Sequence, residues 1–142
     1  MNILLSLISG LLGVLIGSKL SQREELRKEK LNILKTLVTY RFFPGNQERV
    51  TAINVIPFVF FKCPKVCSCL EDYKKAQNDA ADNFIAPQSF SQKLSVLDDA
   101  YIKLLEAIAR HLGYGDSLSW DKLKNPYIAK SYIGQNGNLY WY

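Results

Sequence analysis

The feature that most constrains this chain is its beginning. From Asn2 to Ser18 it reads N-I-L-L-S-L-I-S-G-L-L-G-V-L-I-G-S, and the first charged side chain is Lys19. A helix rises ~1.5 Å per residue, so a run of this length spans roughly 27 Å, close to the thickness of bilayer hydrocarbon. The expectation is a transmembrane helix over residues 1–18. Two rivals stand beside it. A cleaved signal peptide carries basic residues ahead of its apolar run and a small-residue cleavage site after it; neither is present here. A buried soluble helix is the other, because the run is short for a membrane span.

The flanks set an orientation. Lys19, Arg23, Arg27, Lys28 and Lys30 follow the run, and only the terminal amine precedes it. Basic residues stay on the cytoplasmic side, so the expected topology is single-pass in the inner membrane, N-terminus outside and the remainder cytoplasmic. The basic cluster also suits anionic lipid headgroups. Within the run Ser9, Gly13 and Gly17 recur every fourth residue, a face of small residues on which two helices in lipid approach closely. Self-association through that face is expected.

Leu20 to Phe43 contains no Gly or Pro and is rich in Glu, Lys, Arg, Gln and Leu, which are good helix formers. The first helix is therefore expected to continue from the anchor as a charged stalk over residues 19–30. It should join a domain core near Leu31 through Leu26, Ile33, Leu34, Leu37, Val38 and Tyr40. Pro44-Gly45-Asn46 is a stop, with Asn46 placed to cap a second helix. That helix carries Val50, Ile53, Ile56 and Phe60 at helical spacing, and Pro57 should kink or end it. Pro64 suits the first turn of a third helix, whose expected inner face is Val66, Leu70, Tyr73 and Gln77. Residues 78–89 lack periodicity and read as a loop. Leu94, Leu97, Tyr101, Leu104, Leu105, Ile108 and Leu112 form the clearest amphipathic pattern in the chain, ended by Gly113 as a left-handed cap. Ser117 to Lys124 suggests one more short turn.

The last segment changes character. Asn136-Gly137 sits between strand-prone residues, the signature of a two-residue hairpin at about 130–142. The fold class so read is mainly α: an N-terminal transmembrane helix continuing into a small helical domain, 31–142, with a C-terminal β-hairpin.

Three segments carry a resemblance. Glu29 to Arg41 (E-K-L-N-I-L-K-T-L-V-T-Y-R), Arg49 to Phe60 (R-V-T-A-I-N-V-I-P-F-V-F) and Leu104 to Tyr114 (L-L-E-A-I-A-R-H-L-G-Y) resemble a bacterial family of uncharacterised function, short proteins with an N-terminal apolar segment. The resemblance implies the helical architecture and no activity.

Candidate sites are few. There is no GxxxxGK[ST], GxGxxG or HExxH, so neither a cofactor nor a catalytic centre is expected. A net charge of +5 is too small to argue for nucleic acid. Cys63, Cys67 and Cys69 form C-x3-C-x-C, with His111, the single histidine, as a conceivable fourth metal ligand. On a helix, however, Cys67 and Cys69 diverge by about 200°, which favours packing over metal. Arg41 and Asn54, polar residues within apolar runs, are read as a buried hydrogen-bonded pair. Tyr127, Tyr132, Tyr140, Trp141 and Tyr142 form either a partner-binding patch or a closure of the core. Together these features describe a membrane-tethered cytoplasmic binding or assembly module with an unknown protein partner. The alternatives are a membrane-active effector working through associated anchors and a cysteine-based metal protein.

Overall fold

A computed structural model describes residues 2–82 and 87–115, with side chains for 12–81 and 92–115. It contains four helices: α1 (Asn2–Thr39), α2 (Gln47–Val59), α3 (Pro64–Asp82) and α4 (Pro87–His111). Contacts fix their directions. Lys30 meets His111 and Arg41 meets Asp98, so α1 and α4 run antiparallel. Cys63 meets His111 and Tyr73 meets Tyr101, so α3 and α4 are antiparallel as well. The latter form the most extensive pairing. The result is an up-and-down bundle, with short turns between α1 and α2 and between α2 and α3.

The expected fold class needs correction. Among the described residues no helix is long and apolar enough to cross a membrane. The apolar run does become helix, but α1 is one rod of 38 residues and does not stop at Ser18. From Leu12 onward, any stretch of spanning length takes in Lys19, Arg23, Glu24, Glu25, Arg27 and Lys28. Among the described residues there is also no strand. The hairpin expected at about 130–142 and the short turn at 117–124 lie outside them.

The bundle core is built from α1 residues Ile33, Leu34 and Leu37, α2 residues Ala52, Ile56 and Val59, and a zipper between α3 and α4. In α3 the inward positions are Val66, Leu70, Tyr73, Ala76 and Ala80; Gln77 is exposed. The helix runs on to Asp82, well into the segment expected as loop. In α4, Ile102, Leu104, Leu105, Ile108 and Ala109 are fully enclosed.

Local chemistry sets the boundaries. Asn46 Oδ1 accepts from the amides of Glu48 at 2.9 Å and Arg49 at 3.1 Å, which starts α2. Pro57 sits in the last turn of α2, which ends two residues later. Pro64 opens α3. Gly113 ends α4 at φ 87°. Its amide donates to the Arg110 carbonyl, and the Tyr114 amide reaches back to Ala109, the paired bonds of a Schellman motif.

Candidate functional site

Every described side chain from Leu12 to Glu29 is exposed. This half of α1 projects from the bundle, which begins to cover the helix only at Lys30 and Leu31. Leu12, Val14, Leu15, Ile16 and Leu20 are each more than half exposed. At ~100° per residue they fall all round the helix. A helix that is apolar on every side is one that is normally buried. Between them, Gly13 and Gly17 have nothing within 4 Å of where a Cβ would stand. Ser9 belongs to the same helix, with its side chain outside those described.

Where the rod meets the bundle, three elements converge on His111. Lys30 Nζ lies 2.9 Å from His111 Nε2, and Cys63 Sγ lies 3.2 Å from Nδ1 and 3.3 Å from Nε2. Phe60 presents its ring to the imidazole at 5.6 Å, edge to face, and to the Lys30 ammonium at 5.2 Å. Burial, and then the Lys30 charge, hold His111 below its ordinary pKa, so the neutral ring is favoured. Cys67 and Cys69 do not join this cluster. Among the described residues no group of three or more His, Cys, Asp or Glu is placed to hold a metal ion.

At the far end of the rod, two arginines are buried. Arg41 binds Asp98 of α4 through Nη2, at 2.9 and 3.0 Å to the two carboxylate oxygens. The expected Arg41–Asn54 pair is not formed, because Asn54 is exposed. The inward positions of α2 are Arg49, Ala52, Ile56 and Val59, and Asn54 stands about 200° from Ala52. Arg49 is the residue the sequence concealed. Its guanidinium donates to the carbonyls of Arg41 at 2.7 Å and Tyr40 at 3.4 Å and to the Tyr73 hydroxyl at 3.1 Å, and it stacks 4.2 Å from the Tyr101 ring. The Tyr101 hydroxyl donates to the Leu37 carbonyl at 2.8 Å, and burial pushes its pKa up. Together Arg49 and Tyr101 satisfy the carbonyls at the end of α1, where positive charge also complements the helix dipole.

The sequence family described as "Family of unknown function (DUF6680)" matches residues 1–137. The chain belongs to this family. Its match takes in all four helices, including the projecting half of α1. No curated protein and no solved structure matches the chain. The aromatic patch of Tyr127, Tyr132, Tyr140, Trp141 and Tyr142 lies outside the described residues. The sequence groups Cys63 with His111 only as conceivable metal ligands beside Cys67 and Cys69, and it assigns Lys30 to the stalk. Their direct meeting is not legible, because Cys63 and His111 lie 48 residues apart. One signal was available: each stands at a helix boundary, and the antiparallel pairing of α3 with α4 brings those two boundaries together.

Proposed function

We propose that the protein is a helical assembly module. Its bundle holds α1 rigidly by one half, and the other half docks against the same helix of a second copy. The observation that supports this is the exposure of Leu12, Val14, Leu15, Ile16 and Leu20 on a helix that the rest of the described chain leaves uncovered. A second copy is the fitting occupant. The open space at Gly13 and Gly17 lets backbones approach, and a self-complementary contact gains that space from both helices at once. The charges that follow do not oppose it strongly: residues 19–30 carry five basic and three acidic side chains in mixed order.

Sedimentation equilibrium of the full chain tests the reading. The native protein is expected to associate, and Gly13→Ile with Gly17→Ile to raise the dimer Kd by about tenfold or more. Thermal melting of the bundle should not change, because neither glycine faces it. A native chain that stays monomeric overturns the proposal. So does equal association of both versions, or a monomer that partitions onto lipid vesicles.

A further inference from the structure

Cys63 is set apart from the other cysteines by what its sulfur touches. Cys67 donates its thiol hydrogen to the Phe60 carbonyl at 3.4 Å, a bond that only the protonated sulfur makes. Cys69 is buried, and burial raises its pKa; Asp72 and Glu106 push the same way, against Lys65 and Lys103. The Cys63 sulfur instead faces His111.

The Lys30 ammonium can only donate, so His111 Nε2 must accept, and the neutral ring carries its hydrogen on Nδ1. That is the nitrogen nearer the sulfur. The two sulfur distances are nearly equal, which places Sγ over the face of the His111 ring, in contact with both nitrogens. Cys63 also directly precedes Pro64, at the N-terminus of a 19-residue helix whose free amides favour negative charge.

Cys63 is 8% exposed, and it lines a groove of about 820 Å³. Lys62, Lys65, Lys103 and Arg110 line the same groove, against Asp72 and Glu106. Glu106 is already paired with Arg110 at 2.7 Å, which leaves the three lysines to set the sign of the field. The space suits a molecule of small-ligand size.

We propose that Cys63 is a thiol-exchange site that takes small, negatively charged disulfides from this groove. The Cys63 thiol releases its proton to solvent, and the thiolate attacks one sulfur of the bound disulfide. A new S–S bond forms to Sγ as the old one breaks. The other half leaves as a thiolate with the electron pair, so Cys63 is oxidised and the small disulfide is the oxidant. His111 acts as a positioning residue in contact with the sulfur, and Lys30 holds the His111 ring. The site is independent of assembly through α1.

The test uses the full, native chain with two probes: anionic dithiobis-nitrobenzoate and neutral dithiodipyridine. One thiol in three is expected to react at least about tenfold faster than the others, because it alone faces the imidazole within the groove. Cys63→Ala should remove that fast phase, and Cys67→Ala and Cys69→Ala should keep it. Mass mapping of the labelled native chain should place the first adduct on Cys63 without any substitution. His111→Gln should slow both probes. Lys65→Gln with Lys103→Gln should slow the anionic probe several-fold and leave the neutral one unchanged. A first adduct on Cys67 or Cys69, or no reaction short of unfolding, overturns the site. Equal slowing of both probes by the lysine changes overturns the preference for anions.

Discussion

Arg49 shows why a charged residue belongs in this core. Its guanidinium satisfies two carbonyls and one hydroxyl, with the bonds to the Arg41 carbonyl and the Tyr73 hydroxyl buried. Arg49→Met fills similar space and satisfies none of them, and each orphaned buried group costs about 1–3 kcal/mol. We expect urea unfolding to report a loss of roughly 2–4 kcal/mol. Asp98→Ala removes the carboxylate that binds Arg41, whose Nε and Nη1 already lack partners. Because the Asp98 side chain is 45% exposed, water replaces part of the loss, and about 1–2 kcal/mol is expected. His111 gives a pH dependence of defined sign. Its folded pKa lies below the ordinary 6.5, so the unfolded chain takes up the proton more readily. Its contribution is complete above that value and is lost as pH falls from 6.5 toward the folded pKa. Melting temperature should therefore drop on moving from about pH 7.5 to about pH 5.5, and His111→Gln should flatten that step. An unchanged step in the variant would assign it to other groups. The polar residues were only half legible in the sequence. Arg41 stood out inside an apolar run. Of the stripe expected on α2, Ile56 and Phe60 are buried and Ile53 packs against the core, but Val50 is 38% exposed and the inward place beside it belongs to Arg49, a charged residue that apolar spacing does not pick out.

Element ends were the most legible feature, because start and stop signals act through covalent chemistry and not through distant packing. Asn46, Pro64 and Gly113 stand at the boundaries their side chains predict. Two of them have a measurable consequence. Asn46→Ala removes an acceptor used by two amides and should cost about 1 kcal/mol. Gly113→Ala keeps the space open but forces a Cβ into the left-handed region, a further loss of about 1–2 kcal/mol in urea unfolding. The end of α3 was not legible. Its last inward residues are Ala76 and Ala80, which are buried yet carry too little hydropathy to mark a face, so a helical segment read as loop. The transmembrane expectation failed for a related reason. Hydropathy weighed residues 2–18 as a unit, whereas the chain folds them as the first part of a rod that continues through the charged residues to Thr39.

For the whole molecule, the two halves of α1 share one backbone but have different support. Ile33, Leu34 and Leu37 are enclosed by the bundle, whereas residues 12–29 are all exposed, with only Arg23, Leu26, Arg27 and Glu29 bordering the bundle. A helix without tertiary support is marginal at lengths below about 12–15 residues, and the exposed half gains only by continuing a helix already nucleated in the bundle. Native-state hydrogen exchange should read this gradient. In dilute solution, amides near Leu37 should open only with the bundle, and those from Leu12 to Leu26 should exchange faster, by about tenfold for each 1.4 kcal/mol of lost support. If a second copy covers the projecting half, raising the protein concentration should protect Leu12 to Leu20 selectively and leave Leu37 unchanged, since association stabilises by mass action only what it covers. Gly13→Ile with Gly17→Ile should abolish that dependence while preserving the dilute-limit pattern. Equal protection of Leu15 and Leu37 in the dilute native chain would mean that the chain itself already covers the rod. The apolar surface would then be part of its own core, with no role as an interface.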